Sequence, residues 1–341
     1  MTDSAKIREE LAKHNQQHLM MFFDELSPQQ QDSLLRQIKQ LELKKIDQWV
    51  EKHVKQGDTH QIPPDFQPAP SFPAKPAGDR QADRYKEAEA LGSSMISKGK
   101  VAGFVVAGGQ GTRLGFDGPK GNFPISPVKN KTLFRIFAEN IRAASKKYSA
   151  DCPWYIMTSP LNHEQTTNIF RENNFFGLNR DNIFIFQQGT MPNFDFDGRI
   201  YLADKDRIAS SPDGHGGSLK ALGVSGAIED MKRRGVEYIS YWQVDNPLIN
   251  IYDPLFIGLH CKEGSEISSK ALQKASPNEK VGNLCMADGK VTVIEYSDLP
   301  EELAEKRNPD GSLAFELGSI GIHMINREFV EKLNSGRLTL P

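Results

Sequence analysis

Cysteine is scarce in this sequence. Its 341 residues include only Cys152, Cys261 and Cys285, which are too far apart for the paired spacings of a zinc site or a disulfide framework. Reduced thiols and a cytoplasmic setting are therefore expected. Apolar runs are short as well, and none approaches the roughly 18 residues that a membrane-spanning helix requires. The opening MTDSAKIREE lacks the charged-then-apolar order of a secretory leader. Neither sign of charge dominates. With 42 basic and 44 acidic side chains the net charge is −2, so no broad basic field exists to attract nucleic acid or an anionic membrane. Any site for a polyanion must be built locally. No Ser/His/Asp or Cys/His arrangement for nucleophilic catalysis stands out either.

What is present fits a folded, soluble protein: 38% hydrophobic and 25% charged residues argue against disorder, and the length supports a sizeable core. Residues 1–60 read as a helical extension. Ser27-Pro28-Gln29-Gln30 has the form of a capping box with proline at the first helical position, and Leu34, Leu35, Ile38 and Leu41 follow at helical spacing. Residues 61–80 form a connector that includes six prolines between 62 and 76, an extended stretch short of backbone donors. Residues 81–341 read as one large domain. A helix over 81–99 precedes short apolar runs at Val101–Ala107, Trp154–Thr158, Ile183–Gln187 and Tyr238–Val244. Helical stretches at Thr132–Lys146, His163–Asn173 and Leu219–Arg234 alternate with them. That alternation predicts an α/β fold with a mixed, mostly parallel sheet. Near the end, Val281–Ala287 and Lys290–Tyr296 flank Asp288-Gly289, a pair suited to a tight antiparallel hairpin. Lys232-Arg233-Arg234 reads as a solvated helix end.

The first apolar run feeds directly into a glycine-rich loop. From Val105 to Gly121 the sequence is VVAGGQGTRLGFDGPKG, with six glycines, Arg113 and Lys120. Glycine lets backbone approach a ligand closely, and unpaired peptide N–H groups suit an anion. Arg113 and Lys120 add a planar fork and a point charge for phosphate oxygens. Two common glycine motifs do not fit. The dinucleotide fingerprint GxGxxG fails at Leu114, and the P-loop GxxxxGK[ST] fails because Lys120 lies between Pro119 and Gly121. On the glycines alone, a plain tight turn remains an alternative. The two cations favour a cradle for the phosphates of a nucleoside triphosphate.

AGGQGTRLG followed by PKG resembles the signature of the UDP-N-acetylhexosamine pyrophosphorylases, UTP-dependent sugar-1-phosphate uridylyltransferases. Five further blocks resemble that family in its order: Trp154–Ser159, Phe186-Gln187-Gln188-Gly189, Pro212–Gly217 (PDGHGG), Val244-Asp245-Asn246 and Val293–Ser297. The likeness covers roughly residues 100–340 and the short helical extension. It implies a glycosyltransferase-A-like, Rossmann-like nucleotidyltransferase domain. The activity it implies is transfer from UTP to a sugar 1-phosphate, with Mg²⁺, giving a UDP-sugar and pyrophosphate. Carried over by position, the backbone of Ala107, Gly108 and Gly109 meets the uridine, and Gln188 and Gly214 read the uracil edge. Asp245 binds the metal, while Gly282 and Glu295 contact the sugar. Taken singly, Asp245 also reads as a turn or cap residue, Gln188 as a loop amide and Glu295 as an exposed strand carboxylate.

The chemistry is consistent with these residues. A sugar phosphate is already an anionic nucleophile, so positioning and charge neutralisation carry the reaction and no general base is needed. His215 and Ser319 stand where the N-acetylglucosamine enzymes usually carry asparagine. N-acetylglucosamine 1-phosphate is still the first sugar that the resemblance implies, but these two departures on the sugar side keep glucose, galactose and N-acetylgalactosamine 1-phosphates as alternatives. The family also continues beyond Pro341, through a phenylalanine-rich segment at the sugar site and a phosphate-contacting lysine. That difference keeps a non-catalytic nucleotide-sugar-binding protein as a second reading. A monomer or weak oligomer is expected, with no nucleic-acid or membrane partner.

Overall fold

A computed structural model describes residues 3–55, 62–212 and 214–336. The chain divides into two compact units, Met1–Gln61 with Thr190–Asp213, and Ile62–Gly189 with Gly214–Pro341.

In the first unit, helices Asp3–Lys13, Pro28–Gln40 and Leu43–Trp49 bury Leu11, Leu34, Ile38 and Ile46. The capping box forms as the sequence suggests, with Ser27 accepting from the Gln30 N–H while Gln30 accepts from that of Ser27. Two ribbons from the second segment complete this core: Thr190–Pro192 with Ser210–Pro212, and Leu202–Asp204 with Arg207–Ile208. Ile200 and Ile208 are buried among the helical leucines. The fully buried Gln16 amide donates to Gly198 O at 2.7 Å and accepts from the Ile200 N–H at 2.9 Å. Residues 190–212, expected within the larger domain, instead give their apolar side chains Phe194, Ile200, Leu202 and Ile208 to the helical unit.

The second unit is built on a nine-stranded sheet. In chain order its strands are β1 (Phe66–Pro68), β2 (Val101–Val106), β3 (Trp154–Thr158), β4 (Ile183–Gln187), β5 (Tyr238–Gln243), β6 (Ile267–Gln273), β7 (Asn283–Ala287), β8 (Lys290–Ile294) and β9 (Leu317–Asn326). The central order is β5-β2-β3-β4, all parallel. Strand β9 runs antiparallel to β5 and carries β6 and β7, with β8 and β1 on β7. The sheet is therefore mixed around a parallel heart. VAGFVV and WYIMT are continuously apolar because both faces are covered. Val101 and Val105 point into one core with Phe134, Phe137, Trp154 and Trp242. Ala102 and Phe104 point into the other, with Leu222, Ile228 and Met231. This is the period-two alternation of a strand.

Several expectations change in detail. The β7–β8 hairpin turns at Asp288 (φ 49°) and Gly289 (φ 71°), the paired left-handed geometry that Asp-Gly favours. The proline-rich stretch is not only a connector, because Phe66–Pro68 pairs with β7 as an edge strand, where proline is tolerated. The stretch Leu219–Arg234, expected as one helix, is two, Gly214–Val224 and Ala227–Arg234, broken at Ser225-Gly226. Arg233 and Arg234 are not simply solvated. Both pair with Asp230, a buried carboxylate that also accepts from Tyr155 Oη at 2.7 Å.

Candidate functional site

Strand β2 delivers the glycine loop to the C-terminal edge of the parallel strands. Ala107 is buried, and its N–H donates to Met157 O at 2.7 Å, continuing the β2–β3 pairing. The loop then folds back on itself. Gly111 N–H donates to Gly118 O at 2.8 Å and Lys120 N–H to Gly109 O at 3.0 Å. Between these arms lies a short turn, Thr112–Leu114, which exposes Arg113. Arg113 has no ion-pair partner among the described residues. The return arm brings Lys120 beneath Gly109, where a β-carbon would lie 3.8 Å from Nζ. The N–H groups of Gly108, Gly109 and Gln110 find no hydrogen-bond partner among the described residues. These are donors open to a ligand.

Neighbouring strand ends supply the other groups. Past β4, the Gln188 N–H donates to Thr158 O at 2.8 Å, and its side-chain amide packs against Gly108. A β-carbon at Gly108 would stand 2.9 Å from Gln188 Oε1, so only glycine admits this approach. Past β5, Asp245 is exposed and its Oδ2 accepts from Lys120 Nζ at 3.1 Å. Its neighbour Asn246 donates from Nδ2 to Ile320 O at 2.8 Å, fixing the turn to β9. Ala107, Gly108, Gly109, Lys120, Gln188 and Asp245 thus meet where open α/β sheets bind ligands.

The residues expected at the sugar form a second group. A β-carbon at Gly282 would lie 3.5 Å from Glu295 Oε1, and the Ser319 N–H donates to Gly282 O at 2.7 Å. Ser319 is one residue from Ile320, so β9 connects this group to the turn that carries Asp245. Gly214 starts helix Gly214–Val224, but Asp213 and the side chain of His215 lie outside the described residues.

Sequence reasoning passed over several groups close to these. Lys274 is buried and its Nζ donates to Asn283 Oδ1 at 2.5 Å; burial pushes its pKa down. His163 Nδ1 lies 2.8 Å from the Thr158 hydroxyl, which itself donates to Phe186 O at 2.9 Å. Burial lowers the imidazole pKa, favouring its neutral form. Asn162 joins the segment after β3 to the glycine loop. Its only local signal is a Ser-x-x-Asn pattern before a helix, which reads as a cap.

Most of the chain is similar to known proteins. A family model described as UTP--glucose-1-phosphate uridylyltransferase matches residues 66–339. UDP-N-acetylhexosamine pyrophosphorylase-like protein 1 of Homo sapiens is 36% identical over 97% of this chain and 68% of its own length. UDP-N-acetylglucosamine diphosphorylase 2 of Arabidopsis thaliana is 34% identical over 96% of this chain and 68% of its own. The chain thus spans about two thirds of the length of such relatives. Among solved structures, the uridine diphosphate N-acetylglucosamine pyrophosphorylase of Trypanosoma brucei, in complex with an inhibitor, superposes with a TM-score of 0.85. It is 28% identical and covers 99% of this chain and 69% of that one.

Proposed function

This chain belongs to the UTP--glucose-1-phosphate uridylyltransferase family, and we propose that it transfers a uridylyl group from UTP to a sugar 1-phosphate, releasing pyrophosphate. N-acetylglucosamine 1-phosphate is the first sugar proposed, following the names of the relatives. The observation that carries the reading is the loop itself. It exposes three unpartnered N–H groups, at Gly108, Gly109 and Gln110, beside a Lys120–Asp245 pair 3.1 Å apart.

In this reading an oxygen of the sugar phosphate attacks the α-phosphorus of UTP. A P–O bond forms there as the bond to the β-phosphate oxygen breaks, and pyrophosphate leaves with the electron pair. The attacking oxygen needs no base. The free N–H groups and the Lys120 ammonium offset charge on the triphosphate, and Arg113 is free to swing onto the leaving group. Gln188 presents both a donor and an acceptor to the uracil edge.

Mg²⁺ fits the donor set. Asp245 offers one accessible carboxylate that already attracts a cation, and magnesium takes one or two carboxylates with substrate phosphates completing its shell. When bound, it would supply charge neutralisation between the two phosphate groups. Asp245 would hold it, while Lys120 would turn from Asp245 towards phosphate.

Pyrophosphate release from UTP with a panel of sugar 1-phosphates tests the proposal. Turnover dependent on the sugar phosphate is expected. Arg113→Ala is expected to lower the rate by roughly 10²–10³, the scale for losing one transition-state donor. Saturable UTP binding with no pyrophosphate formed from any sugar phosphate would favour the non-catalytic binding protein instead.

A further inference from the structure

The glycine loop does not by its own chemistry decide which way its peptides face. Glycine accepts φ of either sign, so the peptides Ala107–Gly108 and Gly109–Gln110 can each offer an N–H or a carbonyl oxygen to a ligand. For a polyanion the two choices are opposite in sign. Something outside the loop must select.

Asn162 is placed to do so. It is fully buried and immediately precedes helix His163–Glu172, the position where asparagine ordinarily accepts from the first-turn N–H groups. Here its side chain makes no such bond. Its Oδ1 instead accepts from Ser159 N–H at 2.9 Å and from Ser159 Oγ at 3.1 Å. That orients the amide and aims Nδ2 at the loop, where it donates to Ala107 O at 3.0 Å and to Gly109 O at 3.2 Å. Gly109 O also accepts the Lys120 N–H at 3.0 Å. The Ala107 and Gly109 carbonyls are thereby drawn inward, and because a trans peptide points its C=O and N–H in opposite directions, the N–H groups of Gly108 and Gln110 are turned outward and left open.

We infer that Asn162 is a positioning residue. Its amide locks the glycine loop in the anion-accepting orientation and so sets affinity for the triphosphate without touching it. The inference rests on the proposed reading of the loop as the UTP cradle. The cost of losing the clamp falls on binding, because the loop must first be ordered from a mixture of peptide orientations.

Asn162→Asp tests this with almost no change of shape. One carboxylate oxygen keeps the Ser159 contacts, while the other faces two carbonyl oxygens and repels them. Asn162→Ser removes the amide that reaches the two loop carbonyls without adding charge, since the shorter hydroxyl ends well before Nδ2. Both variants are expected to raise KM and Kd for UTP by roughly tenfold or more, about 1.4 kcal/mol, with KM for the sugar 1-phosphate unchanged. Amide hydrogen exchange is expected to quicken at Gly111 and Lys120, whose bonds close the loop, and to stay unchanged at Phe104–Val106 in β2. UTP affinity within about twofold of the parent in both variants, or unaltered exchange at Gly111 and Lys120, overturns the clamp. If the parent itself binds no uridine nucleotide, the functional reading falls and the binding role of Asn162 falls with it. The exchange measurement still reports separately whether the amide holds the loop.

Discussion

At the scale of single residues, the site is arranged by close approach more than by charge. Gly108 lets the Gln188 amide lie against the loop, and a methyl group there would meet the movable end of that side chain, not backbone. Gly108→Ala is therefore expected to leave the fold intact and displace Gln188. UTP affinity should drop roughly tenfold, the worth of one well-made hydrogen bond, with little change in melting temperature. Calorimetric titration with UTP alongside a thermal melt checks both parts; unchanged affinity would separate Gln188 from uracil recognition. At this scale the candidate site was legible where one short stretch holds several of its residues. Ala107-Gly108-Gly109, Arg113 and Lys120 sit in one motif, whereas Asn162 acts on carbonyls 53 and 55 positions earlier. Nothing local to Asn162 marks it, since the same residue before a helix reads equally well as a cap.

At the scale of elements, the buried group Tyr155–Asp230–Arg234 ties β3 to helix Ala227–Arg234. Burial tends to raise the Asp230 pKa, but hydrogen bonds from Tyr155 and Arg234 and the charges of Arg234 and Arg233 outweigh it and hold the pKa below the usual carboxylate value. A depressed native pKa means that the stabilisation is complete above the unfolded value of about 3.9 and is lost as pH falls through the native one. Asp230→Asn is expected to lower the melting temperature at pH 7 by roughly 2–4 °C or more, the response to about 1 kcal/mol. The gap to the parent should close as pH drops below about 4. Melting curves across that range check it, and a gap independent of pH would contradict this role. The central strands were readable because long apolar runs such as Val101–Val106 mark strands buried on both faces. The ribbons between Thr190 and Pro212 were not, since strands of two or three residues carry no measurable period. The proline run concealed an edge strand because its pairing partner, β7, lies more than two hundred residues away.

At the scale of the molecule, the second unit gathers its functional groups by topology. Four parallel strands end together, so Gly108 after β2, Gln188 after β4 and Asp245 after β5 become neighbours although they span 137 positions. A sequence can mark each strand end, but only the strand order β5-β2-β3-β4 shows that they share one edge. The group expected at the sugar, Gly282 before β7, Glu295 after β8 and Ser319 on β9, is tied to the turn that carries Asp245 through the Asn246–Ile320 bond. Among the described residues no helix is long and apolar enough to cross a membrane. The central claim is that the loop after β2 cradles UTP by its backbone, and a crystal structure of the chain with a uridine nucleotide tests it most directly. The account expects phosphate density against the N–H groups of Gly108, Gly109 and Gln110, with Lys120 turned from Asp245 towards it and uracil beside Gln188. Nucleotide bound elsewhere, with this loop unliganded and the Lys120–Asp245 pair intact, would contradict it.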